Sequence, residues 1–250
     1  MSESDRPPLE ADGVCVVRNT VDPLLVARWL QAADAVYFQI GGTPTGNDAL
    51  PATVKSYRPT ASSMLLASIA TVAEIQNFIA PLRDALHAWL GEAVVWNADQ
   101  AWLRRQFPPH FAPPYHHPHG WHQDGALGFD FATHPEGGGP EAVLEMLTAW
   151  VPLTPCGRDA PGLEWIAVRP DRLLGVNELA DERLRSTFAE KTFVSPELRP
   201  GDAVLMWGDV FHRTHVTRSM QQPRTSVEFR FHSADDIPAR LAAERFLECW

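Results

Sequence analysis

Pro200-Gly-Asp-Ala-Val-Leu-Met-Trp-Gly-Asp-Val-Phe-His-Arg-Thr-His215 is the stretch that sets the fold class. Pro200, Gly201 and Asp202 signal a turn, Ala203 to Trp207 is an apolar run, and Gly208-Asp209 turns the chain again before Val210. Pro223-Arg-Thr-Ser-Val-Glu-Phe-Arg-Phe231 reads as a further strand. The same texture runs back to Gly91, with short Val-, Trp-, Phe- and Thr-rich runs between Pro and Gly clusters. Candidate strands lie at 93–106, 121–124, 143–151, 163–168, 191–199, 203–207, 210–216 and 225–232. About eight antiparallel strands close most simply as a jelly roll.

Ahead of this region the reading changes to helix. Gly13 to Asn19 is a short β-branched strand, and Asp22-Pro23 is an N-cap with proline at the first helical position. Leu24, Leu25, Arg28, Trp29, Ala32, Val36 and Tyr37 recur at helical spacing before Gly41-Gly42, which reads as a stop. A second helix is expected from Ser62 or Ser63, broken or kinked at Pro81 and ending at Leu90-Gly91. No repeat or linker divides the chain. The expected class is therefore mainly β with flanking helices, in a single domain over 1–250. Residues 1–92 form a mostly helical buttress, 93–232 a jelly-roll core and 233–250 a C-terminal helix.

With 250 residues, the chain can bury most of the surface that its unfolded form exposes. Nine Trp and twelve Phe exclude a disordered chain. A net charge of −10 argues against a nucleic-acid backbone as the partner, since that contact needs clustered Lys and Arg. Cys15, Cys156 and Cys249 suit neither a paired disulfide framework nor a metal knuckle. The opening residues 1–13 lack the apolar core of a signal peptide, and the longest nearly apolar stretch, Met64 to Ala73, is too short to cross a bilayer. A cytoplasmic protein without a membrane partner is expected, in a reducing compartment.

The chemistry centres on Trp121-His-Gln-Asp-Gly125. In an extended segment residues two apart share a face, so His122 and Asp124 project together. A third ligand completes a 2-His-1-carboxylate triad, the set that suits non-haem Fe(II). His-x-Asp alone is common, and ten histidines make chance matches frequent. His212 and His215 compete for the third place; three positions apart on a strand, only one of them faces inward. Arg224 lies on the next strand, and its planar fork suits a carboxylate beside the metal. Two irregular segments flank this region. Phe107 to Gly120 is rich in Pro and His, and His134 to Pro140 contains three glycines in a row. Long loops of this kind are lids or binding loops when functional, with a plain surface insertion as the bland alternative for the glycine run.

Taken together, these pieces resemble the phytanoyl-CoA dioxygenase family of Fe(II)/2-oxoglutarate oxygenases. The resemblance rests on Asp12-Gly-Val-Cys-Val-Val-Arg-Asn19, Trp121-His-Gln-Asp-Gly125, Ala149-Trp-Val-Pro-Leu153, Pro161-Gly-Leu-Glu-Trp-Ile166, Pro200-Gly-Asp-Ala-Val-Leu205, Phe211-His-Arg-Thr214 and Arg224, in the family's order across nearly the whole chain. It implies a double-stranded β-helix core, a cupin-like jelly roll. It implies His122, Asp124 and His212 as iron ligands, with the Phe-His-Arg-Thr pattern favouring His212 over His215. It implies Arg224 on the far carboxylate of 2-oxoglutarate, with Ser226 adding a hydroxyl there. The cofactor set is then Fe(II), 2-oxoglutarate as cosubstrate and O2. The reaction expected is oxidation of an aliphatic carbon of a small organic molecule, with succinate and CO2 as coproducts. Related halogenases carry a small residue in place of the carboxylate, so Asp124 favours hydroxylation or another oxidation.

Two other readings stand beside this one. A cupin-like metalloenzyme without cosubstrate needs another histidine, from His215 or from His110, His116, His117 and His119. A non-catalytic jelly-roll binding module would use the same cavity. His87 reads as structural. Trp150, Trp165 and Trp207 either line the cavity or fill the barrel, Glu228 and Arg230 read as a cross-strand ion pair, and one of Arg104 and Gln106 is expected to face the cosubstrate.

Overall fold

A ten-residue strand near the end of the chain organises the molecule, because both of its faces are buried. The computed structural model describes residues 12–39, 63–110 and 118–250. It opens with β1 (Val14–Val17) and α1 (Pro23–Gln39), where the Asp22 side chain accepts from the Leu24 amide at 2.7 Å and caps the helix. Then come β2 (Ser63–Leu65), α2 (Val72–Ile79) and α3 (Arg83–Leu90), followed by β3 (Val94–Asn97) and β4 (Trp102–Gln106). The middle of the chain holds β5 (Gly137–Gly138), β6 (Leu147–Pro152), β7 (Gly162–Ile166), β8 (Leu173–Leu174), α4 (Asp181–Thr187) and β9 (Phe193–Val194). The last part holds β10 (Ala203–Trp207), β11 (His212–His215), β12 (Arg224–Ser233) and β13 (Phe246–Glu248).

The large antiparallel sheet has the order β1-β10-β6-β12-β3-β13, with β4 also on β12 and β2 on β4. β12 pairs with β6 on one side; on the other it pairs with β4 along its first half and β3 along its second. A second sheet has the order β11-β7-β9. Val14, Trp150, Val204 and Met206 of the large sheet pack with Leu163 and Trp165 of the small one, which makes a two-sheet sandwich. This is the expected jelly-roll core with helices on the outside.

The period-two alternation of β12 explains the layering. Val227, Phe229 and Phe231 turn to the helical side and join the main apolar core. There Trp29 of α1 stacks on Phe78 of α2 at 3.9 Å, and Phe78 meets Phe229 at 6.0 Å. Arg224, Ser226, Glu228, Arg230 and His232 turn to the opposite face, and all are buried. β6 alternates likewise, with Leu147, Ala149 and Val151 in the helical core and Thr148 and Trp150 on the inner face.

Several sequence expectations are corrected. Ser63–Leu65 is a strand on β4, and the helix begins at Val72, where Thr71 and Glu74 form a reciprocal capping box. Pro81 does interrupt the helix as expected, within a 3-10 turn between α2 and α3. The stretch 93–106 is two strands, because a 3-10 turn at Ala98–Gln100 bends it along β12. The stretch 191–199 shortens to Phe193–Val194, and Pro196 and Pro200 leave only an isolated bridge between Leu198 and Cys156. The C-terminal helix expected over 233–250 is absent. Pro238 confines helical structure to two short 3-10 turns, and Phe246–Glu248 instead satisfies the open edge of β3. α4 was not foreseen, being too short to show a period. The glycine run is ordered: Gly137 and Gly138 pair with Leu174 and Leu173. Gly137 has φ +92°, and a Cβ there would lie 2.1 Å from the Leu173 carbonyl oxygen, so only glycine fits. The Gly41-Gly42 stop, Ser62, His116 and His117 lie outside the described residues.

Two stability predictions follow from this packing. Trp29→Ala should cost about 3–5 kcal/mol in chemical denaturation, as for other buried aromatic truncations. His232 is 0% exposed, and neither ring nitrogen has a partner among the described residues. Burial, and then the Arg230 guanidinium, push its imidazole down to about 4. The unfolded chain takes up this proton near pH 6.5 and the folded chain does not, so stability is lost as pH falls from 6.5 toward 4. Relative to its value at pH 7, the wild type should lose about 2 kcal/mol more than His232→Leu on going to pH 5.

Candidate metal centre

The segment 121–125 is held in place by its own backbone and by one buried amide. His122 and His212 exchange both backbone hydrogen bonds, at 3.0 and 3.1 Å, which sets the two residues side by side. Gln123, 4% exposed, donates to the carbonyls of Arg172 and Asp209 and accepts from the Leu174 amide, each at 2.9 Å. The expected strand 121–124 is thus only a single bridge. Gln123 keeps extended dihedrals, however, so His122 and Asp124 still share a face before the chain turns into a 3-10 helix. The turn is tight because the Gly125 amide donates to the Gly208 carbonyl at 2.7 Å, and a Cβ on Gly125 would lie 2.8 Å from that oxygen.

On this frame one nitrogen each of His122 and His212 and one oxygen of Asp124 lie within 4.8 Å of one another. Nε2 of His122 is 3.6 Å from Asp124 Oδ1, and Nε2 of His212 is 3.9 Å from it. Each Nδ1 faces a backbone carbonyl, Gly120 at 2.7 Å and Val210 at 3.1 Å. A ring that donates through Nδ1 carries its lone pair on Nε2, so both lone pairs turn toward the carboxylate. Burial pushes the His122 imidazole down to about 3, the neighbouring His212 adds to this, and Asp124 opposes it. Neutral is the form that binds a metal. Burial alone would raise the Asp124 carboxyl. Arg230, the two imidazoles and the Thr148 hydroxyl outweigh it and hold the group well below the usual carboxylate range.

The donor set is two imidazoles and one carboxylate, which matches Fe(II). Among the described residues no other group of three or more His, Cys, Asp or Glu side chains gathers in this way. His215 points elsewhere, with Nδ1 3.8 Å from Glu164. His110 meets the Arg218 carbonyl. His119 is the one described member of the loop cluster that reaches the site: its ring lies 5.6 Å from that of His122, and its Nε2 is 3.0 Å from Arg104.

Arg224 is 2% exposed and sits 5.0 Å from the Trp150 ring centroid. One amino group donates to Ser226 Oγ at 2.6 Å, while Nε has no partner. No carboxylate of the described residues is ion-paired with it. A buried guanidinium without a counter-ion is costly, so this is a place prepared for an anion. Gln106 faces Arg224 across the β4–β12 ladder, and Arg104 faces Ser226.

Sequence reasoning missed the groups behind Asp124. Thr148 donates to Oδ2 at 2.6 Å, and Arg230 donates to Oδ1 at 3.2 Å. Glu228 forms the expected cross-strand ion pair with Arg104 at 2.8 Å, and it also lies 3.5 Å from Arg230 on its own strand. The signal was present as charged residues at alternate positions of an otherwise apolar strand. Trp150 and Trp165 belong to the packing between the sheets, and Trp207 packs beside both cores.

Comparison with known proteins agrees with this site. Residues 9–226 match the family described as Phytanoyl-CoA dioxygenase (PhyH). A comparison with curated proteins found no match. Among solved structures, EctD from S. alaskensis with 2-oxoglutarate and 5-hydroxyectoine superposes with a TM-score of 0.67 at 18% identity, over 94% of this chain and 77% of that one. The epimerase SnoN from nogalamycin biosynthesis, in complex with Fe3+, alpha ketoglutarate and nogalamycin RO, gives 0.62 at 18% identity, over 92% and 88%. AviO1 from Streptomyces viridochromogenes Tue57 gives 0.60 at 16% identity, over 92% and 94%. These likenesses carry the fold. The family match, spanning most of the chain, carries the assignment: this protein belongs to the phytanoyl-CoA dioxygenase family and is a 2-oxoglutarate-dependent non-haem iron oxygenase.

Proposed function

We propose that the chain, as one domain over 1–250, oxidises an aliphatic carbon of a small organic molecule, most simply by hydroxylation. One atom of O2 enters succinate as 2-oxoglutarate loses CO2, and the other enters the substrate. His122, Asp124 and His212 are the protein ligands of Fe(II), and Arg224 with Ser226 holds the far carboxylate of 2-oxoglutarate. The observation that supports this reading is a buried Arg224 without a counter-ion, together with a trio in which both Nε2 atoms face one carboxylate oxygen. EctD and SnoN, whose structures hold 2-oxoglutarate with small organic compounds, support a substrate of that class.

When bound, Fe(II) supplies the redox chemistry that couples loss of CO2 from the cosubstrate to removal of hydrogen from the substrate. The remaining tasks fall to the protein. Gly120 and Val210 carbonyls fix both imidazoles as Nδ1–H tautomers. Asp124 occupies the third protein position, so the site has no vacancy of the halogenase kind. Arg224 orients 2-oxoglutarate through two parallel hydrogen bonds. Trp150 covers the guanidinium and keeps water from competing for it. Among the described residues no helix is long and apolar enough to span a membrane.

Asp124→Ala and His122→Ala should abolish succinate formation and weaken Fe(II) binding, measured by anaerobic metal titration. Arg224→Ala should keep Fe(II) binding and lose about 100-fold in 2-oxoglutarate affinity, the scale of unpairing a buried charged contact. Wild-type cosubstrate affinity in Arg224→Ala would refute its assignment. The defining experiment is a small-molecule screen for compounds that stimulate 2-oxoglutarate consumption by Fe(II)-loaded protein. Turnover that is indifferent to 2-oxoglutarate would overturn the reading.

A further inference from the structure

Behind the triad runs a buried chain of alternating charge that the reaction itself does not require. Asp124 Oδ1 lies 3.2 Å from Arg230 Nη2, and Arg230 Nη1 donates to the Gln100 carbonyl at 2.9 Å. The same Nη2 lies 3.5 Å from Glu228 Oε2, whose other oxygen is 2.8 Å from Arg104 Nε. Arg104 Nη1 closes the chain on His119 Nε2 at 3.0 Å, beside the His122 ring. Arg230 and Glu228 are 7% and 8% exposed, so their contacts with Asp124 and with each other operate away from water, whereas the Arg104–His119 end is exposed.

The two oxygens of Asp124 are used differently. Oδ2 accepts the Thr148 hydroxyl at 2.6 Å. Oδ1 faces both Nε2 atoms and shares itself with Arg230. A carboxylate oxygen has two lone pairs. With one on Arg230, Oδ1 has one left for a metal, and Oδ2 is held by the Thr148 hydroxyl. Carboxylates otherwise ligate through one or both oxygens, and a second metal–oxygen bond would consume a position that a chelating 2-oxo acid needs.

We propose that Arg230 and Thr148 are positioning residues that confine Asp124 to one-oxygen ligation and so keep the cosubstrate's positions open. Glu228 and Arg104 act from behind by fixing the Arg230 fork, which ties the carboxylate ligand to the loop that carries His119. The proposal rests on the iron-site reading given above.

The test is anaerobic titration of Fe(II)-loaded protein with 2-oxoglutarate, followed by the visible charge-transfer band of a 2-oxo acid chelated to Fe(II), alongside Fe(II) affinity by chelator competition. Loss of a hydrogen bond behind a metal ligand commonly costs about 10- to 100-fold, and the proposal places that loss in Arg230→Met on 2-oxoglutarate affinity, with Fe(II) affinity falling less than about 3-fold. A purely structural role would lower both together. Chelation of 2-oxoglutarate within 2-fold of wild type, or an equal loss of both affinities, overturns the proposal. If Arg230→Met does not fold, Thr148→Val frees Oδ2 without touching an ion pair. It should lose 3- to 10-fold in 2-oxoglutarate affinity alone, and a wild-type value again overturns the proposal. His122→Ala separates the two ideas: if it still forms the band, the iron-site reading has failed rather than the positioning of Asp124.

Discussion

The double-sided burial of β12 is the constraint on which the rest of the structure depends. One face must be apolar, because α1 and α2 pack against it through Trp29, Phe78 and Phe229. The other face carries Arg224, Ser226, Glu228, Arg230 and His232 into the space between the sheets. A slip of one residue would exchange these sets, placing charges in the helical core and phenyl rings at the metal site. The register against β4 and β6 therefore fixes the fold and the active site together. The polar stripe has value only if its charges are paired or ligated, since each is costly when isolated.

Most of the stripe is paired internally. Arg230 meets Asp124 and Glu228, and Glu228 meets Arg104. Among its charged side chains Arg224 is the exception: it donates to Ser226 but meets no carboxylate of the described residues. The Nδ1 atoms of the two imidazoles face backbone carbonyls, which turn both Nε2 atoms toward Asp124. The inner face of the large sheet thus meets the trio through Arg230 and Thr148 and carries Arg224 without a counter-ion.

Much of this was legible from turn chemistry and alternation. Pro200-Gly201-Asp202 and Gly208-Asp209 bound β10 and deliver His212 rather than His215 to the interior, as a three-residue offset on a strand requires. The pairing of His122 with Asp124 survived even though the segment is no more than a bridge, because a single extended residue, Gln123, preserves the alternation. Other features depend on partners that local pattern does not reveal. Ser63–Leu65 is a strand because β4 offers it an edge, and Phe246–Glu248 is one because β3 does. The 233–250 segment has helix-like composition, but an unpaired sheet edge outweighs that weak propensity. Arg230 could not be assigned to Asp124 beforehand, since 106 residues separate them and only the ladder brings them together.

The most direct measurement is a crystal structure grown anaerobically with Fe(II) and 2-oxoglutarate. The account requires a single ion bonded to Nε2 of His122, Nε2 of His212 and one oxygen of Asp124, with the distal carboxylate of the cosubstrate forked onto Arg224. An ion held by a different trio, or 2-oxoglutarate bound with Arg224 still unpaired, would contradict it.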